Sequence, residues 1–169
     1  DDNFRSVVNN ADMALPDGTG ILWAAKYLTL PMSHSRPLAH FQAYWQWWCT
    51  GLSVIIQPQA LSDVIPERVT GADMVWELSK LASKRGWSIF LLGSAQGVAK
   101  ASAERLQWLY PNLLVAGAIA GPPFEREEQV IEQIKTAKPK FIFLAFPAIV
   151  QLRWMNTYIN QLDGAIMIG

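Results

Sequence analysis

Trp87-Ser88-Ile89-Phe90-Leu91-Leu92-Gly93-Ser94-Ala95-Gln96-Gly97 opens as an apolar run and closes between two glycines. Trp87 to Leu92 shows no polar alternation, as expected of a strand covered on both faces. Gly93 to Gly97 reads as a turn. Upstream, Thr70 and Asp73 have capping-box spacing, with Asp in the place of Glu. Met74, Leu78 and Leu81 then recur at helical spacing, and Gly86 ends that helix. Downstream, Val98, Ala101, Leu106 and Leu109 predict a helix stopped by Pro111, and Leu113 to Ile119 a second strand. Val130, Ile131, Ile134 and Ala137 mark another helix, and Phe141 to Phe146 a third strand. Ala148 to Asn160 reads as helix and Ala165 to Ile168 as a fourth strand. Apolar strands alternating with helices define an α/β fold, a Rossmann-like parallel sheet with helices on both faces. Ligands of such sheets bind at the carboxyl ends of the strands.

The first 65 residues differ. Phe4 to Asn10 and Ile21 to Leu28 read as helices, and Asp12 to Leu15 as a short strand. Residues 1–29 are therefore expected to form a partial N-terminal α/β segment. Residues 30–65 break the pattern with Pro31, Pro37 and Pro58, both histidines and the cluster Tyr44, Trp45, Trp47 and Trp48. They read as an aromatic-rich insertion, facing either a membrane or an oligomer partner. Residues 66–169 form the sheet region.

Composition narrows the function. Of 169 residues, 51% are hydrophobic and 17% charged, enough for a sizeable core. Basic and acidic residues balance at fourteen each, which gives no electrostatic case for nucleic acid. The single Cys49 excludes an intrachain disulfide and fits a reducing compartment. The chain starts Asp1-Asp2-Asn3 and stops at Gly169, and both ends read as cut from something longer. Phe41 to Ile56 is uncharged but polar at several positions and shorter than a membrane span.

Three places could carry chemistry. Gly93 to Gly97, between a strand and a helix, lets backbone N–H groups approach a phosphate. It is not a G-x-G-x-x-G fingerprint, and no acidic residue ends the second strand, so a dinucleotide cofactor is disfavoured and an ordinary tight turn stays open. Asp17, in the turn Pro16-Asp17-Gly18, could act as a general base, although such turns also form for conformational reasons alone. Arg68, in Pro66-Glu67-Arg68-Val69-Thr70-Gly71, could pair with a diphosphate or simply with Glu67 at a helix start. His34 and His40 lack a nearby cysteine or paired carboxylate, so no metal site is expected.

Taken together, these pieces resemble the WecG/TagA/CpsF family of bacterial glycosyltransferases. The resemblance is carried by the run from Ala11-Asp12-Met13 through Pro16-Asp17-Gly18-Thr19-Gly20 to Trp23-Ala24-Ala25, and by Glu67-Arg68-Val69-Thr70-Gly71-Ala72-Asp73. Phe90-Leu91-Leu92-Gly93, Gly97-Val98-Ala99 and Tyr110-Pro111-Asn112 add to it. It covers most of the chain outside residues 30–65. It implies an inverting, metal-independent transfer of N-acetylmannosamine or a related hexosamine. The donor is a UDP-sugar, and the acceptor is N-acetylglucosamine on undecaprenyl diphosphate. The products feed wall teichoic acid, enterobacterial common antigen or capsule. It implies Asp17 as base and Arg68 on the diphosphate, with Gly18, Thr70, Gly71, Gly93, Gly97, Phe124 and Gln151 around the substrates.

No cofactor, metal or nucleic acid is expected. The expected partners are the UDP-sugar, the lipid-linked acceptor and a membrane surface, with a homo-oligomer left open. The location implied is cytoplasmic, peripheral to the inner face of the membrane. Three departures stand against the family pattern. The N-terminal Thr-x-Asn segment has no match in this chain. Gly-Tyr-Phe is replaced by Gly121-Pro122-Pro123-Phe124. Gly-x-Pro-Lys-Gln-Glu is replaced by Ala145-Phe146-Pro147-Ala148-Ile149-Val150, where only Pro147 is clear and Gln151 supplies a glutamine two residues late. These departures raise an alternative: a catalytically impaired relative that binds a sugar nucleotide or a partner without transfer.

Overall fold

The computed structural model describes residues 2–15, 17–31, 36–56, 69–121, 126–162 and 164–169. They form two compact units, Asp1–Ala14 with Gly71–Gly169, and Leu15–Thr70.

The larger unit holds a four-stranded, all-parallel sheet: β1 (Ser88–Gly93), β2 (Leu114–Ile119), β3 (Phe141–Ala145) and β4 (Ile166–Ile168). Its helices are α1 (Asp2–Asn9), α4 (Gly71–Arg85), α5 (Val98–Leu109), α6 (Glu127–Ala137) and α7 (Ala148–Tyr158). The strand order is β2-β1-β3-β4. The chain therefore steps from β1 outward to β2, then crosses back over β1 to β3 and on to β4.

That reversal splits the core in two. Odd-numbered β1 residues Ile89 and Leu91 face Ala82 of α4 and Ala99, Ala103 and Leu106 of α5. Even-numbered Phe90 and Leu92 face Val130, Ile131 and Ile134 of α6 and Trp154 of α7. Alternation along a strand sends neighbours to opposite faces. Helices on both faces leave β1 and β3 nearly dry, which is why their sequences are apolar throughout.

The expected elements are present, with three corrections. Residues 12–15 form no strand: Met13 and Leu15 are exposed, and an isolated extended segment has no ladder partner. The buried face of α5 is Ala99, Ala103 and Leu106, whereas Val98, Ala101 and Leu109 lie at the surface. Small alanines let the helix sit close to the sheet, so large apolar size misleads at this face. The inner face of α4 is likewise turned by one residue, to Val75, Leu78, Ser79 and Ala82. A further difference concerns β2, which is an edge strand exposed at Leu114 and Ala116, not a strand buried on both sides.

The smaller unit contains α2 (Thr19–Thr29) and α3 (Arg36–Ile56), packed against each other. Trp23 of α2 lies edge-on to Trp47 at 6.0 Å, and its indole Nε1–H donates to Thr50 Oγ1 at 3.0 Å. The aromatic-rich segment thus supplies one long helix.

Candidate functional site

In a parallel sheet, the chain leaves neighbouring strands in opposite directions at the topological switch point, opening a crevice at their carboxyl ends. Here that point lies between β1 and β3. The path from β1 leads to α5 on one face, and the path from β3 leads to α7 on the other.

Gly93 closes β1 at this crevice. Its φ is +110°, and a Cβ there would lie 2.7 Å from Ala145 O and 2.9 Å from the Phe146 ring. Only a residue without a side chain fits so close to the end of β3. Ser94 is left-handed too, at φ 65°, a conformation uncommon outside glycine. It is held by two backbone bonds. Its N–H donates to Ala145 O at 2.8 Å, and its carbonyl accepts from Gly121 N–H at 2.8 Å. The ends of β1, β2 and β3 are therefore clasped through one residue.

Gly97 follows, left-handed at φ 84°, as the residue that starts α5. Among the described residues, a Cβ on Gly97 or on Gly121 would meet nothing within 4 Å. The starts of α5 and α7 flank this opening, each with the partial positive charge of a helix start, and the first-turn N–H groups of Val98 and Val150 are already held by Ala95 O and Pro147 O. Neither helix has a side-chain cap. Gln151 lies in the first turn of α7. Its amide packs where a Cβ on Gly169, just past β4, would come within 2.9 Å. Finally, α4 ends in the Gly86 turn before β1 and packs along that strand, so its first residue, Gly71, lies toward the carboxyl edge.

Gly93, Gly97 and Gln151 thus lie along the sheet's carboxyl edge, with Gln151 toward β4 and Gly71 at the helix end that points to the same edge. Asp17 and Gly18 belong to the smaller unit. Asp17 is exposed, and Gly18 starts α2 with φ 93°. Thr70, half-buried, precedes α4. Arg68 and Phe124 lie outside the described residues. Sequence reasoning missed Ser94 and Gly121 as the clasp. A serine directly after a strand-ending glycine was the available signal, but its left-handed φ is set by β3, which is distant in sequence.

A groove of about 570 Å³ lies at the opposite, amino edge, lined by Trp87, Lys135, Lys138, Lys140, Leu162 and Gly164 among others. It lies where α4 and α6 end, and cations there complement the negative helix termini. Lys135 is in the last turn of α6 and pairs with Glu132 at 3.1 Å; Lys138 caps that helix. Lys140 Nζ contacts Gly164 O at 3.4 Å. Among the described residues, no group of three or more metal-ligating side chains occurs.

An open parallel sheet with a glycine loop at its switch point defines a Rossmann-like α/β protein. The family is narrower. Residues 38–169 match the model of the glycosyl transferase WecG/TagA/CpsF family, and the chain belongs to that family. The match begins inside α3. The chain is similar to proteins named N-acetylglucosaminyldiphosphoundecaprenol N-acetyl-beta-D-mannosaminyltransferase from Staphylococcus aureus. It is 26% identical to those of strains NCTC 8325 and COL over 166 residues, covering 98% of this chain and 52% of the relative. For strain MRSA252 the identity is 25% over the same span. The chain spans about half the length of these curated relatives.

Proposed function

We propose that this chain carries the donor-binding sheet and the base-bearing segment of a hexosaminyltransferase. It moves N-acetylmannosamine or a related sugar from a UDP-sugar to N-acetylglucosamine on undecaprenyl diphosphate, in cell-surface polysaccharide synthesis such as that of teichoic acid. The observation that carries this reading is the clasped loop Gly93–Gly97 at the switch point of a sheet whose family transfers glycosyl groups. The organisation proposed is residues 1–29 as catalytic segment, 30–65 as aromatic-rich segment and 66–169 as UDP-sugar region.

The chemistry is a single inverting displacement. Asp17 takes the proton of the acceptor hydroxyl as its oxygen attacks the anomeric carbon from the face opposite the UDP. The bond from that carbon to the diphosphate oxygen breaks, and UDP leaves with the electron pair. Arg68 and the N–H groups of the 93–97 loop stabilise the charge that develops there, without a metal. Gly18, Thr70 and Gly71 shape the approach, Phe124 contributes to substrate binding, and Gln151 supplies the donor contact that the missing Lys-Gln-Glu would have made. The protein works at the cytoplasmic face of the membrane, where its acceptor is anchored.

Calorimetry with UDP on the parent chain and on Arg68→Ala tests the donor site. Binding that weakens by about 1.5–3 kcal/mol, the scale of a charged hydrogen bond, supports it. Turnover with a UDP-hexosamine and a short-lipid acceptor then tests transfer. The replaced Lys-Gln-Glu favours a second reading, a relative that binds the nucleotide without transferring. UDP binding with no turnover would select that reading, and a folded chain that binds no UDP would sink the first.

A further inference from the structure

The helix α3 is built inside out. The residues it turns toward the rest of its unit are small or polar: Ala39, Gln42, Ala43, Gln46 and Thr50, all half-buried. They tie the helix down by hydrogen bonds. Gln42 and Gln46 Nε2 each donate to Pro31 O at 3.0 Å. Thr50 Oγ1 accepts from Trp23, and Tyr27 Oη donates to Ala43 O at 3.4 Å. The opposite face carries Leu38, Phe41, Tyr44, Trp45, Trp48 and Leu52, exposed by 61, 72, 77, 63, 65 and 50%. Leu38, Phe41, Trp45, Trp48 and Leu52 recur at alternating spacings of three and four, which places them in one strip roughly 80° wide at ~100° per residue. Trp47 is off this strip, against Trp23.

We propose that this strip rests on an anionic lipid bilayer, with α3 lying in the interface plane. Two observations select that occupant. Four of the six side chains are aromatic, three of them Trp or Tyr, which favour the headgroup zone. No Asp or Glu occurs from Gly18 to Ser62, while Lys26 and Arg36 lie in that span, so this part of a neutral chain is cationic. No helix among the described residues is long and apolar enough to cross a membrane, so the contact is with the surface of the bilayer. The inference deepens the transferase reading by giving it a way to reach a lipid-borne acceptor, but it can fail on its own.

Flotation with vesicles of phosphatidylcholine, with and without phosphatidylglycerol, tests it in the absence of donor or turnover. The parent chain is expected to co-float with the phosphatidylglycerol vesicles. The variant Phe41→Ser with Trp45→Ser and Trp48→Ser should lose at least tenfold of that binding, with unchanged far-ultraviolet circular dichroism and UDP affinity. Trp108→Ser, an exposed tryptophan of the other unit, should bind vesicles like the parent. If the triple variant does not fold, Trp45→Phe with Trp48→Phe keeps the strip apolar. Brominated acyl chains should then quench the parent's emission and quench the double variant's much less. Equal flotation of parent and triple variant, or equal quenching of parent and double variant, overturns the proposal. So does a folded parent that does not float. A dimer that the triple variant abolishes, without vesicle binding, would assign the strip to a second copy.

Discussion

Gly93 must lack a side chain for two separate reasons, and each makes a prediction. Its φ of +110° strains any L side chain, and an added Cβ would stand 2.7 Å from backbone that cannot move without breaking the end of β3. Gly93→Ala should therefore cost about 2 kcal/mol or more in denaturant unfolding and weaken UDP binding further than the loss of stability explains. Gly97 is a contrast within the same loop. A Cβ there meets nothing within 4 Å among the described residues, so Gly97→Ala meets only the cost of its left-handed φ, about 1 kcal/mol, while its methyl group intrudes where a phosphate would sit. Away from the site, Gly117 lies under the Phe90 ring, 2.3 Å from where its Cβ would be. Gly117→Ala should destabilise by about 1–3 kcal/mol through overpacking, leaving UDP affinity per folded molecule unchanged. Asp17 is exposed at the residue before Gly18. Asp17→Asn should lower turnover by about 10²–10⁴-fold, the usual range for a lost general base, and leave UDP binding near that of the parent.

At the scale of elements, the pairing of α2 with α3 rests on a small number of polar ties in place of a large apolar seam. Trp23→Phe removes the indole donor to Thr50 while keeping most of the ring contact with Trp47. The expected loss is about 1 kcal/mol in the unfolding of that unit. A much larger loss would show that stacking, and not the hydrogen bond, holds the pair. The sheet unit follows the opposite rule. Its helices dock by apolar faces, and β1 is dry at Ile89, Phe90 and Leu92, so Phe90→Ala should cost about 3–5 kcal/mol.

For the molecule as a whole, the two edges of one sheet compete for the role of binding site. A groove is at the amino edge, and the clasped loop is at the carboxyl edge. Hydrogen exchange with and without UDP separates them. Protection is expected at residues 94–98, 121 and 146–151, with none added at Gly86, Lys138 or Gly164. Ligand at 100 times its dissociation constant should stabilise the folded chain by about 2.7 kcal/mol, read as a rise in melting temperature. Turnover should persist in the presence of a strong chelator if the arginine and the loop carry the leaving-group charge.

The sequence by itself determined the elements and their class. Trp87 to Gly97 is legible because a parallel sheet covered on both faces demands apolar strands and because two glycines between an apolar run and a helical stripe mark a turn. The same is true of the helix stripe at Val130, Ile131 and Ile134, whose large side chains show which way they face. Motif residues such as Asp17 and Gly93 stood out by likeness to a family, since a turn or a glycine alone has several causes. Only the tertiary structure decided the strand order, and with it the switch point, the edge position of β2 and the clasp through Ser94. Those depend on pairings between segments 25 to 52 residues apart, which no local period encodes. It also decided the inward face of α5, where small alanines pack closest, and the outward turn of the tryptophans on α3. There the local pattern offers two faces, and only the hydrogen bonds to α2 and Pro31 settle which one turns inward.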